Sequence, residues 1–254
     1  MNRLLAVSRN TFRECIRERV LYNLVIFAIL MILSGLFLGQ LSIRQDEKIL
    51  KDIGLASMDF FGTLIAVFVG VGLVGKEIER RSLYPLLAKP LSRDEFFLGR
   101  FLGLLLVLLV NLVMMAGGLF LTLAVTWRKV DPRLLLGLYT IFLGLVLTVA
   151  LALFFSTLTS STLATVCTVG LVIAGRSADV VRHMKDVLPW APGWLAQFLY
   201  YLLPNFHDLD FKDAIAYGDP LPSAQLLRVT AYVAVYTLVL LGAGLNAFRT
   251  REFY

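Results

Sequence analysis

The chain has 254 residues, a formal net charge of +6 at pH 7, a hydrophobic fraction of 58% and a mean hydropathy of +0.78. Soluble domains hold roughly 45–50% apolar residues, and a globule of this size has too much surface to hide the excess; a water-soluble enzyme and a disordered chain are both excluded. The two cysteines, Cys15 and Cys167, lie too far apart for a disulfide framework or a zinc site, and the basic residues flank apolar runs rather than forming a nucleic-acid footprint.

Residues 1–19 place Leu4, Leu5, Ser8, Thr11, Phe12, Cys15 and Ile16 on one side of a helical wheel. Arg3, Arg9, Arg13, Glu14, Arg17 and Glu18 fall on the other, with Arg19 the misfit, which predicts an amphipathic helix lying at the membrane interface. The uncharged run 20–43 is the first predicted transmembrane helix, and 55–75, with Asp59 near its start, is the second. Residues 76–91 are too charged to enter lipid, yet Leu83, Tyr84, Leu86 and Leu87 are too many apolar groups for a plain connection. They predict a short helix across the membrane face, ended by Pro90.

Ser92-Arg93-Asp94-Glu95 then reads as a Ser-x-x-Glu capping box with Leu91 and Phe96 as its hydrophobic staple, so the third helix, 92–127, starts outside the lipid. The 42 uncharged residues of 134–175 suffice for two spans, 134–156 and 160–175, separated by the small polar turn STLTSST. A sixth span follows at 229–248. Before it, 176–228 forms an outer loop whose uncharged part, 187–206, contains Pro189, Pro192 and Pro204. Proline opposes a helix interior, and Trp190, Trp194, Tyr200 and Tyr201 suit headgroup depth, so this part is read as interfacial or re-entrant rather than as a seventh span. The expectation is a single all-α integral membrane domain with six transmembrane helices. The basic clusters at 1–19, 76–100 and the C-terminus put both termini in the cytoplasm. The long apolar run after residue 19 does not read as a cleavable signal.

Two famous patterns overlap at Gly70-Val-Gly72-Leu-Val-Gly75-Lys76. Glu77 stands where a phosphate loop needs Ser or Thr, and the glycines lie in an apolar span rather than after a strand, so no nucleotide site is expected there. Such glycines suit close helix approach, as do Gly35-x-x-x-Gly39 and Gly99-x-x-x-Gly103. Asp59 and Asn111 are the conspicuous polar residues within the spans, too few for a membrane enzyme. His183, His207 and the aspartates of 176–228 fit no compact ligand spacing. No catalytic residue, metal or cofactor is expected in this chain.

This layout resembles the permease subunits of ABC-2 type (type-2 ABC) exporters, most nearly the branch associated with multicopper-enzyme maturation. The stretch KEIERRSLYPLLAKPLSRDEFFLGRFLG, residues 76–103, is similar to the signature E-x-E-x-G-T-x-x-x-L-L-x-x-P-x-S-R-x-x-x-x-x-G-K, with Glu77, Glu79, Leu86, Leu87, Pro90, Ser92, Arg93 and Gly99 at matching positions. LPNFHDLDFKDAIAYG, residues 203–218, is similar to the outer segment before the last span. Arg81-Ser82 departs from the usual Ser/Asn-Gly, and Arg100 from the usual Lys.

The resemblance implies that residues 77–88 form a coupling helix docked on a separate ATP-binding subunit, present in two copies and holding the ATP and magnesium. Glu77, Glu79, Arg80 and Arg81 would carry the docking, while Leu83, Leu86 and Leu87 would fill its groove. It further implies a second permease copy, identical or sibling, and residence in a bacterial or archaeal cell membrane among lipids, with no nucleic-acid partner. A non-transporting anchor or mechanotransmission partner of an ABC ATPase would use the same features. The nearly uncharged spans favour a lipidic, amphipathic or small uncharged cargo.

Overall fold

A computed structural model describes residues 2–18, 26, 29, 46–79, 93–127, 131–178, 203–217 and 223–250. Every regular element among them is helical: α1 (Asn2–Glu18), α2 (Asp46–Glu79), α3 (Arg93–Trp127), α4 (Leu134–Leu158), α5 (Ser161–Arg176), a single 3-10 turn (His207–Leu209), α6 (Lys212–Tyr217) and α7 (Ser223–Thr250). Long uninterrupted apolar runs dictate this, because lipid offers no partner for backbone groups left outside a helix. Among the described residues, four helices are long and apolar enough to cross a bilayer, over Lys48–Gly72, Asp94–Val125, Leu134–Leu158 and Ser223–Arg249. At 16 residues, α5 reaches only about 24 Å, short of the roughly 30 Å hydrocarbon core. Of the predicted first span, only Ile26 and Ile29 are described; both are helical and exposed.

The second helix outruns its apolar stretch at both ends. It begins at Asp46 and continues to Glu79, 34 residues in all, about 51 Å long. Gly70, Gly72, Gly75 and Lys76 therefore lie on continuous helix and form no phosphate-binding loop. The α4–α5 junction falls within the predicted polar turn. Thr159 is extended and its N–H donates to the Phe155 carbonyl at 3.0 Å, and Ser160, also extended, starts the next helix. The expected cap of α3, Ser92, and the segment 179–202 lie outside the described residues.

Helix α4 is the centre of the bundle, with Leu145, Leu147 and 149–153 all at most 1% exposed. It is flanked by α2, α7, α5 and α3. Missing side chains let α2 come close: a Cβ on Gly54 would meet Leu119 of α3 at 2.7 Å, and one on Gly62 would meet Leu145 of α4 at 2.9 Å. At one end of the bundle the start of α3 meets the end of α7. Phe248 packs 6.4 Å from Phe96 and 6.1 Å from Phe97, and Arg249 pairs with Asp94 through Nε at 2.8 Å. The opposite end is tied by Lys51 and Asp131, 3.3 Å apart.

The first helix does not simply present its apolar stripe to lipid. Val7 and Thr11 sit over the Gly99-x-x-x-Gly103 pair, where a Cβ would come within 2.8 Å of Val7 Cβ and 2.6 Å of Thr11 Cβ respectively. Residue numbers rise together along α1 and α3, so the two helices run in the same direction here. Ser8 and Thr11 are buried, and Thr11 Oγ1 donates to the Val7 carbonyl at 3.0 Å while accepting from Arg100 at 3.3 Å. Leu5 remains 60% exposed.

Among the described residues, Asn111 and Thr237 each bury a side-chain polar atom that meets no partner. Asn111, midway along α3 and 2% exposed, has no hydrogen-bond partner for its side-chain NH2 among the described residues. An unmet buried amide costs about 1–3 kcal/mol. Asn111→Leu, of similar volume, is expected to raise the thermal midpoint of the detergent-solubilised chain, and an unfolding scan checks it; a lowered midpoint would mean the amide is engaged.

Candidate functional site

The most concentrated chemistry lies within the bundle, on α2. Asp59 lies within the apolar stretch Lys48–Gly72, where an isolated carboxylate is costly. Two cations meet it. Arg176, the last residue of α5, makes a two-pronged contact, Nη1 to Oδ2 at 2.7 Å and Nη2 to Oδ1 at 3.0 Å, and also donates to Thr63 Oγ1 at 3.0 Å. Lys212, which opens α6, donates from Nζ to Asp59 Oδ2 at 2.8 Å and lies 3.4 Å from Asp210. Paired charge-assisted bonds of this geometry are the strong kind. The Asp59 and Lys212 side chains are each only 14% exposed, whereas Arg176 is 38% exposed.

The segment 203–217 brings Lys212 there. It is fastened to three helices besides α2. The Phe206 N–H donates to the Gly175 carbonyl of α5 at 3.1 Å, and the Asn205 N–H to the Tyr232 hydroxyl of α7 at 2.9 Å. Ile215 and Leu209 pack on α4, facing Gly137 and Gly144. Gly144 lies ten residues into α4, about 15 Å along it, so the segment reaches well down between the helices. Asn205 also binds Asp208 at 2.8 Å, closing the local turn. Between this segment and α2, α4 and α5 lies a cavity of about 70 Å3, lined by the ion cluster with Thr140, Ile141 and His207. It has room for about two waters.

The residues predicted to dock a partner are placed only in part. Glu77 and Glu79 fall on the last turn of α2, and Arg93 and Gly99 on the start of α3. Arg80, Arg81, Leu83, Leu86 and Leu87 lie outside the described residues. His207 and Asp208 belong to the 3-10 turn, and no three His, Cys, Asp or Glu side chains gather as a metal site among the described residues.

The ion cluster is what sequence reasoning missed. Asp59 reads as a blemish at a span's edge, and Arg176 and Lys212 as outer-loop charges more than 110 positions away. A signal was present: a lone carboxylate inside a span needs a cation, and Arg176 ends the next span but two.

No curated protein matches the chain. A family model described as "ABC-2 family transporter protein" matches residues 5–176, which take in α1 to α5 together with the signature stretch at 77–99. The match supports the family as a whole rather than the multicopper-enzyme-maturation branch that the signature resembles. Covering two thirds of the sequence, it carries the assignment with the helical, multi-span architecture beside it: the chain belongs to the ABC-2 transporter family.

Proposed function

We propose that the chain is the membrane-spanning permease subunit of an ATP-driven exporter, working with a separate ATP-binding subunit and a second permease copy. The family match across 5–176 is the observation that carries this reading. The placement of the signature supports it. Its first acidic pair closes α2 and its last glycine lies in α3, so the docking stretch joins two long helices at one end of the bundle. The same end gathers α1, the Asp94–Arg249 pair and the end of α7, and the basic residues there favour the cytoplasm.

Six spans complete the reading. Run 20–43, 24 uncharged residues, connects the α1 end of the bundle to the start of α2, and α5 with the inserted 203–217 segment fills the remaining crossing. ATP-driven closure of the partner pair would press on 77–88 and part the permease halves outward.

The test is purification from the native host in mild detergent, with partners identified by mass spectrometry and ATP hydrolysis assayed. A co-purifying ATPase is expected. Arg80→Glu with Arg81→Glu should weaken its retention by about 30-fold or more, the scale of losing an interfacial charge pair, while the permease stays folded. Repeated recovery of the folded chain alone and inactive, or unchanged retention in the double variant, would overturn the reading.

A further inference from the structure

We propose that Asp59, Arg176 and Lys212 form a latch that holds residues 203–217 as a plug between α2, α4 and α5, and that releasing the latch opens the cavity beneath to water. This goes beyond the permease assignment, for it assigns a gate to specific side chains. Three observations carry it.

The first is how the plug is held. Lys212 on Asp59 ties it to α2, and Asp59 is shared with Arg176 at the end of α5. One carboxylate thus ties three elements distant in sequence. The second is position. The plug's Leu209 faces Gly144, and the cavity wall is formed by Thr140 and Ile141, both at most 5% exposed. The charged cluster stands at the mouth of a pocket of mixed lining rather than in a sealed core.

The third is the balance of charge. Arg176 and Lys212 face Asp59 and Asp210, so the closed arrangement is neutral; lifting the plug carries Lys212 away with Asp210 and leaves Asp59 with Arg176, so what is given up is the partly buried 2.8 Å Lys212–Asp59 bond. That bond favours closure until water or another ion takes the place of one partner. His207, exposed, also lines the cavity.

The latch is testable in the full chain alone, in nanodiscs open on both faces, so the result does not depend on the ATPase partner or on which side is cytoplasmic. With Cys15→Ser and Cys167→Ser as background, Ile141→Cys reports the cavity and Leu147→Cys, at a site 0% exposed and deeper on α4, reports the core. A water-soluble maleimide is the probe. Asp59→Asn is expected to speed labelling at position 141 by about tenfold or more, with position 147 protected, and Asp59→Glu, which keeps the charge, should label as slowly as the parent.

Unchanged labelling at 141 in Asp59→Asn overturns the latch. Should that variant also expose position 147, Lys212→Gln decides, since it removes one arm and keeps the Arg176–Asp59 pair. Faster labelling at 141 alone supports the latch. No change, or exposure of 147 again, means that the cluster holds the bundle rather than the plug, and the proposal falls.

Discussion

Gly175→Ala is expected to destabilise the detergent-solubilised chain by about 3 kcal/mol, at the upper end for a single added methyl in a packed site. The reason lies in what the methyl would meet. A Cβ on Gly175 would stand 2.1 Å from the carbonyl oxygen of Pro204 and 2.7 Å from the Phe206 ring. The ring can turn, but the carbonyl belongs to backbone fixed by the Phe206 N–H bond to Gly175 itself. The segment 203–217 must lift or α5 must move. Five residues earlier, Gly170 has nothing within 4 Å of its added Cβ among the described residues. Gly170→Ala should be neutral or stabilising by up to about 1 kcal/mol, the usual helix gain over glycine. A thermal scan of the two variants beside the parent checks both, and equal midpoints would mean that Pro204 does not lie against α5.

Gly103→Val is expected to strip α1 from α3. Its Cβ would come within 2.6 Å of Thr11 Cβ and 2.9 Å of the Ser8 carbonyl, and valine's two further methyls have no room. The same displacement removes the Arg100–Thr11 hydrogen bond, which is buried. A loss of about 3 kcal/mol would raise the open fraction of α1 by roughly 100-fold. Arg9 and Arg13 are on the exposed side of α1, so trypsin should cut there faster by a similar factor when cleavage follows the open population. Gly117→Val, at a position with nothing within 4 Å among the described residues, is the control and should cleave like the parent. Equal cleavage in Gly103→Val would show that α1 is held elsewhere.

The sequence made the helical bundle readable wherever one physical cause acted alone. Runs of twenty or more uncharged residues mean lipid, and α3, α4 and α7 lie along the runs predicted from them. The polar turn STLTSST ended α4 because small hydroxyl residues compete with the helix for backbone bonds. The Gly99-x-x-x-Gly103 spacing announced a close contact, though not its partner. Hydrophobicity cannot report what lies across from a residue, and so α1 reads as an interfacial helix when part of its stripe is buried on α3.

The ion cluster was harder for the same reason. Asp59, Arg176 and Lys212 become one site only after three elements pack, and no local pattern encodes that meeting. Helix α2 also begins before the predicted span 55–75. Residues 46–54 carry five charged side chains and no uncharged run marks them, yet they are helical: Lys51 finds Asp131 and Gly54 admits Leu119. The docking residues beyond Glu79 came from resemblance and not from periodicity.

Helix α2 carries a further consequence. Asp59 and Glu79 stand 20 residues apart on one unbroken ladder of backbone hydrogen bonds, about 30 Å from end to end. A helix without a break transmits an axial slip one for one, and a slip of about 2 Å already takes a 2.8 Å contact outside hydrogen-bond range. Events at the two positions are then simultaneous rather than successive. A kinetic scheme for this chain needs no relay step between them, and time-resolved probes placed at the two residues should report a single shared rate.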